Sequence, residues 1–142
     1  MKIELFVPGW PAPGGSKTRS KWGVRPANKR TAEWMNTVAF HAKNDYRGEL
    51  LACPLKAYFV FTMPRPKNHY VASDPAKGLK ANAAKYHTKM PDLTKLIRST
   101  EDALKGIVFV DDCLITRTYG IKQYGENTGA RIIIRTLTKE QP

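Results

Sequence analysis

Two stretches of the chain repeat apolar residues at helical spacing, and a β-rich run lies between them. The first stretch begins near Thr31 and is expected to stop at Gly48, whereas the second follows Pro91 and is expected to stop at Gly106. The intervening run Leu55–Met63 is rich in aromatic residues and is followed by prolines, which predicts a mostly buried strand. Helices separated by strands predict an α+β fold, in which a mixed β-sheet packs with two main helices.

Several shorter segments are expected to complete the sheet. Residues 3–7 and 107–110 are short apolar runs that predict strands. Residues 114–122 and 130–137 are predicted to be two further strands, joined by a turn at 125–129 that contains glycines at both ends. We therefore expect the carboxyl-terminal strands to form a hairpin.

Positive charge is concentrated in two parts of the chain. The 142 residues carry 24 Lys and Arg against 12 Asp and Glu, a net charge of +12. Residues 6–31 contain no acid, and residues 64–90, which lack apolar periodicity, form a second basic stretch. We expect a mobile basic loop at about 64–90 within a single domain that covers residues 1–142. The charge excess predicts a nucleic acid partner whose phosphates these residues neutralise.

Membrane association is not expected. No apolar run approaches the roughly 20 residues that a membrane-spanning helix needs, and the amino-terminal residues lack the apolar stretch of a signal peptide. Pro and Gly also interrupt both basic stretches, which argues against a basic amphipathic helix on a membrane surface. These features predict a cytoplasmic protein.

Five of the twelve acids lie between residues 92 and 112, against this basic background: Asp92, Glu101, Asp102, Asp111 and Asp112. Carboxylates on a basic surface indicate a Mg²⁺ site that acts on a polyanion. Along a helix Asp102 would lie about 15 Å from Asp92, so Glu101 and Asp102 are assigned to a solvated face, with Asp102 paired to Arg98. Asp111 and Asp112 end a short predicted strand that can return to the helix start and meet Asp92. Adjacent strand residues point to opposite faces, so at most one of the two is favoured as a direct ligand, and a strand-ending turn is the alternative for the pair.

The spacing of motifs in residues 87–112 resembles that of the RusA family of Holliday junction resolvases. The chain has P-D-L-T-K-L-I-R, then D-A-L, a glycine turn and V-D-D. The family signature is K-P-D-x-D-N-L-x-K, then D-A-L, a glycine turn and D-D. Near the amino terminus, G-W-P-A-P and G-S-K are similar to the G-x-P loop of bacteriophage members.

The resemblance implies a homodimeric endonuclease of RusA-like fold in the cytoplasm of a bacterial or phage-infected cell. It would bind branched DNA, four-way junctions above all, and make paired nicks with Mg²⁺, for which Mn²⁺ can substitute. The metal-binding and catalytic acids carry over to Asp92 and Asp112, with Asp111 beside the latter. The family's second acid falls on Thr94, and its catalytic lysine falls on Arg98.

These departures leave alternatives open. Thr94 can coordinate the metal ion or cap the second helix, and Arg98 can hold a phosphate in the transition state or pair with Asp102. Trp10 and Trp22 can enter an opened junction or pack in the core. Five basic residues are expected to contact DNA: Lys17, Arg19, Lys85, His87 and Lys89. The rival functions are a non-cleaving branched-DNA-binding protein with a degenerate metal site and a basic RNA-binding module.

Overall fold

The computed structural model describes residues 1–14, 17–20, 23–26 and 29–138, with side chains described in 1–14 and 29–138. The elements in chain order are β1 (Lys2–Pro8), β2 (Lys17–Ser20), β3 (Gly23–Pro26), α1 (Lys29–Asp45), β4 (Leu55–Met63), α2 (Leu93–Leu104), β5 (Ile115–Tyr124) and β6 (Gly129–Thr136). Within the described ranges, no helix has the length and apolar character needed to cross a membrane.

The main sheet has four strands in the order β1-β6-β4-β5. β6 is antiparallel to both β1 and β4, whereas β5 runs parallel to β4. β2 and β3 pair separately as a two-stranded antiparallel ribbon, which the sequence did not predict. The mixed four-stranded sheet with two helices confirms the predicted α+β fold.

One face of the main sheet is buried together with the inner sides of the two helices. Side chains of β1 and β4 alternate between buried and accessible, as expected for strands with one covered face. Trp34 of α1 and Leu96 of α2 lie in the core between helices and sheet. The indole nitrogen of Trp34 donates a hydrogen bond to the Thr100 hydroxyl at 3.1 Å and so ties the two helices together.

The expected carboxyl-terminal hairpin is wrong, because β4 lies between β5 and β6. The connection of residues 125–128 passes the end of β4, where the Gly125 N–H donates to the Met63 carbonyl at 3.0 Å. β4 buries Leu55, Ala57 and both of its phenylalanines. Its central position gives this apolar strand a hydrogen-bonded partner on each side.

The first helix differs from its predicted limits. α1 begins at Lys29, before Thr31, and ends at Asp45, before Gly48. Thr31 is buried and does not cap the helix in the way its position suggested; instead its hydroxyl donates to the Pro13 carbonyl at 2.6 Å. This bond fastens the loop after β1 to the first turn of α1.

The basic segment 64–90 contains three short 3₁₀ turns, Lys67–His69, Val71–Ser73 and Pro75–Lys77. Arg65 donates a hydrogen bond to the Ala84 carbonyl at 2.6 Å, and its guanidinium lies 4.6 Å from the centre of the Tyr124 ring. The two ends of the segment are thus joined to each other and to the end of β5. Its mobility stays a prediction.

Candidate active site

The solvent-facing side of α2 carries a line of polar residues. Thr94, Arg98 and Glu101 recur at helical spacing on one face, with Asp102 beside them, while Leu96, Ser99, Thr100, Ala103 and Leu104 are buried on the other. Thr94 and Arg98 are exposed, and both acids are half-buried. In the described part of the chain no ion pair joins Arg98 to Asp102, so the guanidinium is not held by the carboxylate expected to neutralise it.

The loop after β1 lies directly against α2. The Ser99 hydroxyl donates to the Ala12 carbonyl at 2.6 Å, and the Gly14 N–H donates to the Lys95 carbonyl at 2.8 Å. A Cβ atom on Gly14 would lie 2.9 Å from the Ser99 main-chain nitrogen, so glycine is required for this close approach. The contact fixes the loop beside the first half of the helix.

Asp92 immediately precedes α2. Its main-chain carbonyl accepts the first helical hydrogen bonds, but its side chain makes no capping bond and instead pairs with Lys95 at 3.6 Å. The predicted capping role of Thr94 is therefore wrong, because the helix begins at Leu93 and Asp92 occupies the cap position. A cavity of about 140 Å³ opens beside Asp92, with Gly14 and Pro91 in its walls.

Four carboxylates meet at the opposite end of α2. Burial, followed by the charges of Asp112 and Asp102, raises the pKa of Glu101 to about 7. A hydrogen bond between the Asp111 and Asp112 side chains raises the pKa of Asp112 and lowers that of Asp111. Lys105 balances part of this charge through an ion pair with Asp111 at 3.5 Å. The cluster attracts either protons or a cation.

A tight turn returns Asp111 and Asp112 to the helix they follow. Gly106 has φ of 80°, and its N–H donates to the Phe109 carbonyl at 2.8 Å. The strand predicted at 107–110 is therefore wrong: this segment pairs with Leu51 only through a single bridge at Phe109.

The expected meeting of Asp112 with Asp92 is not among the contacts described for either residue. Asp112 neighbours Glu101, and Glu101 is nine residues, or about 13 Å, along α2 from Asp92. The predicted acids thus occupy two positions, Asp92 and Thr94 at the start of the helix and Asp111 and Asp112 at its end.

Three of the residues expected to contact DNA lie on the segment that leads to Asp92. Lys85 and Lys89 are exposed, while His87 is half-buried with its ring centre 4.7 Å from that of Tyr124. Desolvation, and then the charge of Lys122, lowers the pKa of His87 despite opposing contacts with nearby main chain. The imidazole is therefore neutral near pH 7 and suits hydrogen bonding better than charge pairing.

The remaining expected contacts lie nearer the amino terminus. Lys17 and Arg19 belong to β2, outside the residues whose side chains are described, and Trp22 lies outside the described residues altogether. Trp10 has 53% of its surface exposed, which favours a contact role over a core role.

The family comparison covers most of the chain, including all of these elements except the first residues of β1 and the last of β6. Residues 8–135 match the family model Endodeoxyribonuclease RusA. The chain belongs to the RusA family. RusA proteins are endodeoxyribonucleases that resolve Holliday junctions, so the chain is an enzyme of this class that acts on branched DNA. No curated protein matched the sequence.

RusA-family nucleases generally depend on a divalent metal ion. Carboxylate and hydroxyl oxygens are the donors that Mg²⁺ prefers, and both ends of the α2 face offer them. Within the described ranges, however, no three Asp, Glu, His or Cys side chains converge in metal-binding geometry. The residues present fit an ion that takes one or two carboxylates and fills its other positions with water and phosphate oxygens.

Sequence reasoning missed two residues of this RusA-family site. Glu101 was assigned to a solvated face, although a glycine stop five residues before Asp111 signals a chain that turns straight back. Lys122 of β5 donates to the main-chain carbonyls of Lys89 and Pro91 and so holds the segment before Asp92. No pattern in the sequence distinguishes Lys122 from other strand lysines.

Proposed function

We propose that this chain is a Mg²⁺-dependent, structure-selective endonuclease that resolves four-way DNA junctions by paired phosphodiester hydrolysis on the exposed face of α2. The observation that carries the proposal is the crowding of Glu101, Asp102, Asp111 and Asp112 within a strongly basic chain of the RusA family. Like charges at this spacing cost free energy unless a proton or a cation joins them. A divalent ion relieves that repulsion and attracts the DNA backbone.

The metal ligands in this proposal divide between the two ends of the helix. Asp112 would hold Mg²⁺ with Glu101 and leave the other coordination positions to water and phosphate oxygens, while Asp111 would keep its neighbour in place. Asp92 and Thr94 would form a second position that is completed by substrate phosphate oxygens, since they are too far from Asp112 to share one ion. When bound, Mg²⁺ would neutralise charge on the phosphate and make water more acidic; Mn²⁺ can substitute.

Arg98 lies between the two acidic positions, one turn after Thr94, and is exposed. Its planar guanidinium would hold two oxygens of the scissile phosphate and stabilise the negative charge that develops there. Lys17, Arg19, Lys85 and Lys89 would bind flanking phosphates, and His87 would donate or accept a hydrogen bond beside them.

Paired nicks need two active sites, so we propose that the working form is a homodimer in the cytoplasm. Each protomer would be a single domain whose 64–90 segment moves to admit DNA. The alternative is a junction-binding protein that does not cleave, which the replacement of an acid by Thr94 favours. It predicts tight, salt-sensitive binding without nicks in Mg²⁺ or Mn²⁺.

The test uses a labelled synthetic four-way junction together with direct measurement of Mn²⁺ binding by electron paramagnetic resonance. Wild-type protein is expected to make paired nicks. Asp112→Asn should lose both cleavage and Mn²⁺ binding without DNA, whereas Asp92→Asn should lose cleavage alone. Asp45→Asn, an exposed acid at the end of α1, is the matched control. Intact junction with wild-type protein would refute the nuclease, and unchanged Mn²⁺ binding in Asp112→Asn would refute the ligand assignment.

A further inference from the structure

A second cavity, of about 260 Å³, shares Met90 and Pro91 with the cavity beside Asp92. It is bounded by the amino-terminal loop at Trp10, the end of β4 at Met63 and the end of β5 at Tyr124. Its volume falls just below the roughly 300–1,000 Å³ of ordinary small-molecule pockets. The cavity therefore suits one small ring system rather than a larger ligand.

The walls of this cavity are aromatic and apolar. Trp10 contributes an indole, and 53% of the residue's surface is exposed. Tyr124 contributes a phenol ring whose centre lies 4.6 Å from the Arg65 guanidinium and 4.7 Å from the centre of the His87 ring. Met63 and Pro64 add apolar surface. Such walls bind planar ligands best, because a flat ring can stack on an aromatic side chain whatever its own hydrogen-bonding groups are.

Cationic groups accompany the aromatic ones. Arg30 lines the cavity with its guanidinium 4.8 Å from the centre of the Trp10 indole, and Lys89 lines it from the opposite segment of the chain. His87, the remaining polar side chain in the wall, has a lowered pKa and is neutral near pH 7. A flat ring attached to an anionic backbone matches this combination of stacking surface, hydrogen-bonding group and positive charge.

We propose that this cavity receives one unstacked nucleobase of the branched DNA, from a nucleotide next to the phosphate bound at Asp92. The shared wall of Met90 and Pro91 places the two cavities side by side, as a base and its neighbouring phosphate would require. Bases at a branch point cost the least to unstack, because their pairing is already interrupted. The inference rests on the proposed function, since it takes Asp92 as part of the cutting site.

The test places 2-aminopurine, a fluorescent base, at each position within a few nucleotides of the branch point and measures its emission in protein complexes without divalent ions. One position is expected to be quenched by stacking on the indole. Trp10→Leu should abolish that quenching and weaken junction binding about 5- to 100-fold, whereas Trp10→Phe should retain most of both. Tyr119→Leu, an exposed aromatic on β5 outside the cavity, is the matched control.

A second measurement removes the base from the DNA instead of the indole from the protein. A junction that lacks the quenched base should bind wild-type protein as weakly as the intact junction binds Trp10→Leu. Equal affinity for intact and abasic junctions, or quenching that survives Trp10→Leu, would overturn the pocket even if the junction is cut normally. Quenching without any cleavage in Mg²⁺ would instead leave the pocket standing and refute the nuclease proposal.

Discussion

The ammonium group of Lys122 donates a hydrogen bond to the main-chain carbonyl of Pro91 at 2.9 Å. A second bond from the same group reaches the Lys89 carbonyl at 2.8 Å. A strand residue on β5 therefore sets the path of the chain immediately before Asp92. In the proposed site Lys122 would be a positioning residue, because it contacts the main chain before Asp92.

Replacing Lys122 should lower both activity and stability. We expect Lys122→Met to reduce junction cleavage about 10- to 100-fold, because small displacements of a reacting group are costly. The unfolding free energy should fall by only about 1–3 kcal/mol, the typical loss for hydrogen bonds to a charged group. Cleavage kinetics and urea unfolding measure the two effects, with Lys56→Met, an exposed lysine on β4, as control. Wild-type cleavage in Lys122→Met would contradict the positioning role.

Arg98 should affect the rate of cleavage more than the binding of DNA. Arg98→Ala is expected to lower the single-turnover rate about 10²- to 10³-fold, the usual loss when a group that stabilises transition-state charge is removed. Arg98→Lys should recover part of that rate, because it keeps the charge but not the planar fork. Lys43→Ala, at the exposed end of α1, should behave as wild type. An Arg98→Ala protein that cuts normally but binds weakly would assign Arg98 to general DNA contact.

An acid at position 94 should strengthen the metal position at the helix start. Thr94→Asp adds a second negative charge beside Asp92, and ligand charge is one of the factors that set affinity for hard cations. We expect the Mg²⁺ concentration for half-maximal cleavage to fall about 10-fold. Thr94→Asn gives the side chain the shape of aspartate without its charge, and it should leave the Mg²⁺ requirement near that of wild type. Identical Mg²⁺ dependence in Thr94→Asp would show that residue 94 does not contact the ion.

Glu101 should make stability depend on pH. Its pKa is raised from 4.5 to about 7 in the folded chain, so the folded state binds the proton more tightly than the unfolded state between these values. Stability from this group is complete below about pH 4.5 and is lost as the pH rises through 7. In metal-free buffer, Glu101→Gln should therefore be more stable than wild type at pH 8, by about 1–2 kcal/mol after allowing for its partial exposure, and similar at pH 4.5.

Thermal unfolding at the two pH values measures this difference. Adding Mg²⁺ at pH 8 should stabilise the wild-type chain and have less effect on Glu101→Gln, because the ion replaces the proton as the neutralising charge. A wild-type stability that does not change between pH 4.5 and 8 relative to Glu101→Gln would show that the carboxylates are not crowded in solution.

The close approach of Gly14 to α2 should tolerate no side chain. Gly14→Ala would place a methyl group 2.9 Å from the Ser99 nitrogen, which main chain cannot easily move to relieve. We expect a loss of about 1–3 kcal/mol in unfolding free energy, as in other overpacked sites. Gly120→Ala is the control, because its closest neighbour is the terminal methyl group of the Ile97 side chain and no main chain lies nearby. Equal stability of the two variants would mean that the loop is not held against the helix.

The sequence predicted local structure well where one pattern sufficed. The helical spacing after Pro91 gave α2, and the aromatic run Leu55–Met63 gave β4. Strand order was not predictable in this way, because the turn at 125–129 looks the same whether β5 and β6 pair directly or enclose β4. The choice depends on which strand gains most from two neighbours, and that is a property of the whole sheet.

The candidate site, too, was predicted only in part from the sequence. The resemblance selected Asp92 and Asp112, but whether they approach each other depends on the turn between Gly106 and Phe109. The strand predicted at 107–110 placed Asp112 near the start of α2, whereas Asp112 neighbours Glu101. Glu101 was for that reason predicted to be solvated. The glycine stop at Gly106 was a local signal for the raised pKa of Glu101. The contact of Lys122 with Pro91 has no such signal, since it joins segments that are distant in the sequence.

The parallel pairing of β4 with β5 has a consequence for how this fold can diversify. The chain leaves the sheet at Met63 and re-enters it beside the same strand at Ile115, so everything between is one continuous insert with fixed end points. Asp92, Arg98 and Asp112 all belong to it. Exchanging this single stretch between proteins of the fold would transfer these three proposed site residues together, while β1, β4, β6 and α1 stay as an unchanged platform.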